Sequence, residues 1–261
     1  MGFLNMKRRI DMIAVVTGAS SGIGRDIAYE LSQRGYDIYA VARREEKLNE
    51  LKDELKTNVY PIVADLSKKE ECLKLYELLK DKDVDILVNN AGFGAFGDFL
   101  EIPLERELEM IDTNIVSLHI LTKLFLKDFK AKNKGYILNV ASSAGFMMGP
   151  LLATYYASKA YVLRFTEAVF RELKESKSSV HVCVLCPGPV KTEFDSVANV
   201  KFSIKGLESK YVAKYTVDKM FKKKMLIVPG IVMKLSLLSS RFVPDILLSK
   251  ITYKIQKKKD I

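Results

Sequence analysis

The sequence predicts an α/β protein built on a parallel sheet with helices on both faces. Three observations carry that prediction. Short apolar runs alternate with charged amphipathic stretches along nearly all of the 261 residues. The runs do not alternate polar with apolar, as expected of strands buried on both faces. A glycine cluster follows the first run directly, in the manner of a strand–turn–helix unit.

Ile13–Thr17 (IAVVT) reads as a buried strand. It runs into GASSGIG and then RDIAYELSQRG, where Ile27, Ala28 and Leu31 recur at helical spacing and Gly35 stops the helix. Asp37–Ala42 is a second strand, followed by a charged helix over 43–56. Val59–Val63 is a third, ending at Asp65-Leu66, and the helix after it spans 68–80. A fourth strand, 85–88, runs into Asn89-Asn90-Ala91-Gly92. One long helix is then expected over 104–131, carrying Asn114. A fifth strand, Tyr136–Val140, precedes a helix over 153–175 and a sixth strand over 180–185. A helix over 210–221 and a short strand over 226–228 complete the pattern. No repeat or composition break forces a second domain. Residues 1–261 read as one domain, whose last part, 190–261, supplies substrate-side loops and a basic C-terminal segment.

Composition narrows the function. A chain that is 48% hydrophobic and 28% charged is ordinary for a water-soluble globular protein. Three cysteines make no disulfide framework and point to a reducing compartment. Cys183 and Cys186 have metal-ligand spacing, but no second pair follows and the only histidines are His119 and His181. Two thiols three apart on a strand also face opposite ways, so no metal site is expected. The opening MGFLNMKRRID lacks an apolar core long enough for a secretory signal, and Met6 offers a second start. The longest uncharged run, 135–158, is broken by Asn, Ser, Gly and Pro, so a cytoplasmic protein is expected.

The net charge of +10 is unevenly placed: from Lys201 onward stand fifteen Lys and Arg against four Asp and Glu. The body before it is neutral, with 27 basic and 28 acidic side chains. Residues 231–255 mix Leu, Ile and Val with Lys234, Arg241, Lys250 and Lys254, a pattern that can lie on an anionic membrane surface. Pro244 and Asp245 interrupt such a helix, so packing on the domain or on a second subunit is favoured over peripheral membrane contact. Nucleic-acid binding through these lysines is not expected.

Chemistry concentrates in SSAGFMMGPLLATYYASK, residues 142–159. In a helix, Tyr155 and Lys159 share one face, phenol beside ammonium. A free tyrosine, with a pKa of ~10, is a sluggish acid at neutral pH, and a nearby cation favours its phenolate. A hydroxyl such as Ser142 could hold a carbonyl oxygen against that phenol. This is a proton-transfer device for a C=O/CH–OH couple, although Tyr-x-x-x-Lys alone occurs by chance in many helices. The glycine cluster, Gly18-x-x-x-Gly22-x-Gly24, supplies the missing half: glycines let backbone approach a pyrophosphate, and a helix N-terminus offers unpaired N–H groups. At the end of the second strand, where a carboxylate would meet an NAD ribose, stand Arg43 and Arg44 instead. An arginine fork suits the 2′-phosphate of NADP(H).

Taken together, TGASSGIG (17–24), Asp65, NNAG (89–92), Asn114, Ser142, YYASK (155–159) and PGPVKT (187–192) resemble a classical short-chain dehydrogenase/reductase of the NADP-preferring type. The resemblance implies a doubly wound Rossmann-type domain of about seven parallel strands. It implies Tyr155 as general acid/base, Lys159 lowering its pKa and binding the nicotinamide ribose, Ser142 orienting the carbonyl, and Asn114 supporting a water-linked proton relay. For the cofactor it implies Gly18, Ser20, Ser21, Gly22, Ile23 and Gly24 in the loop, with Arg43 and Arg44 at the 2′-phosphate. Asp65 and Leu66 would meet the adenine, and Asn90, Ala91 and Gly92 the sheet centre. Pro187, Gly188, Val190 and Thr192 would lie near the nicotinamide carboxamide or phosphates. A homodimer or homotetramer is the expected assembly.

The substrate wall expected from the loops is apolar: Phe93, Phe96 and Phe99; Phe146, Met147, Met148, Leu151 and Leu152; Phe194, Val197, Phe202 and Ile204, with Lys191, Lys201 and Lys205 at the rim. It fits a bulky lipophilic ketone or alcohol, either a hydroxysteroid or bile acid or a 3-oxoacyl chain. A non-catalytic NADP-binding regulator is the reading that the intact Ser/Tyr/Lys set argues against.

Overall fold

The computed structural model describes residues 12–194, 198, 206–240 and 242–257. Met6, Val197, Lys201, Phe202, Ile204, Lys205 and Arg241, named above, lie outside the described residues. The elements follow the order β1 (Ile13–Thr17), α1 (Gly22–Ser32), β2 (Asp37–Ala42), α2 (Glu45–Glu54), β3 (Val59–Val63), α3 (Lys69–Leu79) and β4 (Val84–Asn89). Then come α4 (Leu104–Ile111), α5 (Ser117–Ala131), β5 (Tyr136–Val140), α6 (Ala153–Glu175) and β6 (His181–Leu185). The last part holds β7 (Val190–Lys191), β8 (Leu207–Glu208), α7 (Ser209–Phe221), β9 (Leu226–Ile227), α8 (Ile231–Ser240) and α9 (Asp245–Lys257).

Seven strands form one parallel sheet in the order β3-β2-β1-β4-β5-β6-β9. Successive residues of β1 feed opposite cores. Ala14 and Val16 pack with Ile27 and Leu31 of α1 on one face, while Val15 joins Phe125 and Phe129 of α5 on the other. Each fully buried side chain of this size contributes about 1.5–3 kcal/mol, which is why the strands read as unbroken apolar runs. Cys183 and Cys186 belong to different core clusters, and burial pushes both thiols well above their usual range.

The order in which strands are added reverses between β1 and β4, the crevice where ligands of open α/β sheets bind. Thr17 knits that crevice together. Its hydroxyl donates to the Val88 carbonyl at 3.2 Å and accepts the N–H groups of Asn90 (2.9 Å) and Ala91 (3.0 Å).

The long helix expected over 104–131 is present as one continuous helical stretch, but it is not α-helical throughout. A π-helical turn, Asp112–Val116, separates α4 from α5. The physical reason is Asn114, which is 1% exposed and is swung inward. Its Oδ1 accepts the Phe93 N–H at 3.0 Å, and its Nδ2 donates to the Phe93 carbonyl (2.9 Å) and to Ser158 Oγ (3.0 Å). Such turns accommodate one extra residue at functional sites.

At the C-terminus Pro244 falls between α8 and α9, as its ring requires. Both helices pack on the domain, burying Leu237, Thr252 and Gln256. No helix among the described residues is long and apolar enough to cross a membrane.

Candidate active site

The turn after β1 is shaped by close approach. Gly18 has φ +64°, and a Cβ there would lie 2.7 Å from Asn90 Nδ2 and 2.9 Å from Ala91 Cα. A Cβ on Gly24 would lie 2.3 Å from Asn90 Nδ2 and 2.4 Å from the Gly18 carbonyl oxygen. Asn90 Nδ2 in turn donates to the carbonyls of Thr17 (3.0 Å) and Gly18 (3.2 Å), locking loop to sheet. The cradle therefore fits a pyrophosphate held by backbone at the start of α1.

At the loop's outer edge the Arg44 guanidinium donates to Ser20 Oγ (3.1 Å) and Ser21 Oγ (2.9 Å), and it pairs with Glu193 at 2.9 Å. The hydrogen bond from Arg44 holds the Glu193 carboxyl below its ordinary value. Arg43 reaches the other way, to Glu109 at 2.9 Å. Burial pushes the Asp65 carboxyl up, but the Ser67 hydroxyl and N–H with the Arg43 and Lys68 charges bring it down overall.

A cleft of about 640 Å³ runs from this loop to the start of α6. Every site residue expected from the sequence lines it except Gly24, which packs beneath the loop, and Asn114. With its amide engaged by Phe93 and Ser158, the Asn114 side chain anchors the loop after β4. Of the apolar wall, Phe93, Met147, Leu152 and Phe194 line the cleft. Phe96, Phe146, Met148 and Leu151 are not among its lining, and Phe99 is exposed. Lys191 pairs with Glu208 and is not part of the lining.

Tyr155 sits in the first turn of α6, and Lys159 one turn further on. Ser142 follows β5; its Oγ accepts the Ala144 N–H at 3.1 Å, and its hydroxyl is near enough to Tyr155 to favour the phenolate. Lys159 Nζ is buried and donates to the Val140 carbonyl at 3.0 Å. Burial moves both groups towards their neutral forms. It raises the Tyr155 phenol, against the smaller opposite pull of Ser142, and lowers Lys159 to about 8. Desolvation rather than the Lys159 charge governs Tyr155, against the depression expected from that cation. A phenol so placed stays protonated at neutral pH and can give a proton to a carbonyl oxygen.

Sequence reasoning missed three partners. Glu109 and Glu193 meet the two arginines, and Gln256 of α9 donates to the Tyr156 hydroxyl at 2.6 Å. Met233 of α8 also reaches the cleft. Gln256 had one faint signal, its four-residue spacing from Thr252 within a lysine-rich tail.

A glycine cradle at the sheet's switch point, joined through one cleft to Ser142, Tyr155 and the buried Lys159, defines a Rossmann-type nucleotide-binding domain. The family model for short chain dehydrogenases matches residues 12–201, and the chain belongs to that family. It is 35% identical over 207 residues to hydroxysteroid dehydrogenase-like protein 1 of Gallus gallus, covering 77% of this chain and 62% of that protein. The chain thus spans less than two thirds of that relative's length. A short-chain dehydrogenase from Sphingobium yanoikuyae in complex with NADPH shares the fold with a TM-score of 0.79 at 26% identity, over 88% of this chain and 93% of that one. A short chain dehydrogenase/reductase from Burkholderia phymatum in complex with NAD gives a TM-score of 0.80 at 23% identity, over 87% and 92% of the two chains. At that identity the second likeness speaks for the fold alone.

Proposed function

We propose that this chain is an NADP(H)-dependent oxidoreductase that interconverts a bulky apolar ketone and its secondary alcohol. The observation that carries the reading is one continuous cleft with Arg43 and Arg44 at one end and Ser142, Tyr155 and Lys159 at the other, walled by Phe93, Leu152 and Phe194. A bound nicotinamide would supply or take the hydride. The chain's own groups do the rest. The Ser142 and Tyr155 hydroxyls orient the carbonyl oxygen, and Tyr155 donates its proton to it, or removes that proton in the reverse direction. Lys159 replenishes the charge balance beside the phenol, and the apolar wall keeps water from competing.

The absence of a carboxylate at the end of β2 supports NADP(H) over NAD(H), because two guanidinium groups suit a 2′-phosphate. The chicken relative's name and the wall's character support a hydroxysteroid- or bile-acid-like substrate. A 3-oxoacyl chain is the second candidate, supported by the Met147 side of the wall, which adapts to flexible chains. A cytoplasmic homodimer or homotetramer completes the proposal. The deciding experiment follows NADPH absorbance across a panel of ring ketones and acetoacetyl thioesters, with Tyr155→Phe as control. Turnover of ring ketones that the control abolishes is the expected result; wild-type turnover of neither class would overturn it.

A further inference from the structure

The end of the cleft beyond Tyr155 carries a polar pair that ketone–alcohol chemistry does not use. Gln256, in the last turn of α9, is 1% exposed. Its Nε2 donates to the Tyr156 phenol oxygen at 2.6 Å, while its Oε1 has no partner among the described residues. Turning the amide about would give Oε1 the Tyr156 proton and strand Nε2 instead. One end of the amide is therefore left unsatisfied in either setting. A buried polar group without a partner is costly and calls for an explanation.

Its surroundings supply one. Gln256, Tyr156, Thr252, Ile255 and Met233 all line the cleft that holds Tyr155. The Thr252 hydroxyl donates to the Leu248 carbonyl at 2.8 Å, so its proton is not offered to a ligand. The Tyr156 ring is pinned by Gly149, where even a Cβ would lie 2.1 Å from it. Tyr156 thus holds the amide in place, and its unsatisfied end sits buried on a side chain that lines the cleft, where a small turn of the amide would bring it to a ligand.

We propose that Gln256, held by Tyr156, determines specificity by hydrogen-bonding a hydroxyl on the substrate remote from the carbonyl that Tyr155 serves. A hydroxyl both donates and accepts, so it satisfies either setting of the amide. The substrate class is then a hydroxyl-bearing lipophilic ketone and the corresponding diol. This deepens, and rests on, the ketone–alcohol reading above.

The test is calorimetric binding to the NADPH-loaded Tyr155→Phe chain, where turnover does not enter. The ligands are ring ketones, each paired with counterparts bearing one added hydroxyl at graded distances from the carbonyl. At least one hydroxylated member should bind about ten- to a hundredfold tighter than its parent. Adding Gln256→Met should bring that ratio to about one, and Tyr156→Phe should reduce it by loosening the amide. Equal binding of every pair overturns the proposal before any second variant is made. So does a ratio that survives Gln256→Met, or a uniform weakening of both members, which is what a merely structural role would give. Turnover by the wild-type chain is read separately, so a failure of the ketone–alcohol reading is told apart from a failure of this one.

Discussion

The buried Lys159 Nζ stands 5.8 Å from the centre of the ring of Tyr155, which is half-buried where it lines the cleft. Desolvation pulls lysine down and tyrosine up, so the pair sits closer to neutrality than two exposed groups would. In that state the phenol is the proton donor that carbonyl reduction requires. Removing it by Tyr155→Phe should cut NADPH-linked turnover by roughly 10²–10⁴-fold while cofactor affinity stays within about twofold. Tyr156→Phe should leave kcat close to wild type and act instead on KM for hydroxylated substrates. Single-substrate kinetics on the two variants decide it; reversed effects would mean that Tyr156 is the acid.

The same burial gives stability a defined pH dependence. Lys159 titrates near 8 in the fold against 10.5 for the unfolded chain. Between those values the unfolded chain binds a proton that the fold does not, so unfolding free energy rises with pH. Tyr155 opposes this only above the ordinary tyrosine value of about 10, where the unfolded chain loses a proton that the fold keeps. From pH 8 to 10 the wild type should therefore gain on the order of 2 kcal/mol relative to Lys159→Met. Urea titrations of both proteins across that range measure it, and parallel curves would remove Lys159 as the cause.

Cofactor choice should divide between the two arginines. Arg43 pairs with Glu109 across the cleft edge, whereas Arg44 braces Ser20 and Ser21 of the glycine loop. Arg43→Leu should weaken NADPH binding about tenfold, one charge-assisted contact, and barely change NADH. Arg44→Leu should weaken both, because the loop loses its brace. Titration with each cofactor separates these outcomes. Wild-type protein that binds NADH as tightly as NADPH would remove the 2′-phosphate argument.

The parts legible in the sequence were those with local causes. β1, β2, β3 and β5 have the bounds their apolar runs predict, β1 because it is buried along its whole length and edge strand β3 even though it leaves Tyr60 and Val63 exposed. Gly18, Tyr155 and Lys159 were legible because the turn, proton and cation each demand one residue type. The π-helical turn was not, since one inserted residue hardly disturbs helical periodicity. Its cause is a tertiary pairing of Asn114 with Phe93, 21 residues away. The Arg43–Glu109 pair spans 66 residues and Tyr156–Gln256 spans 100, so no local pattern could announce either.

That last contact also changes what the basic tail does. Its charge suggested a role in location or assembly, yet α8 and α9 send Met233, Thr252, Ile255 and Gln256 into the cleft. Lys234, one of the cations counted there, is engaged with the Tyr215 hydroxyl at 2.9 Å. The segment therefore walls part of the cleft, whose remaining lining among the described residues comes from before residue 195. A chain ending at residue 244 should keep NADPH affinity within about twofold, since Gly18, Arg43 and Thr192 remain. It should raise KM for bulky ring ketones about tenfold, the loss of one or two apolar wall contacts, and leave cyclohexanone nearly unaffected. Thermal melting with and without NADPH checks that the shortened chain folds and binds cofactor, and KM for the two ketone sizes then separates the alternatives. Equal losses for both sizes would place α9 in the support of the catalytic group and not in the wall.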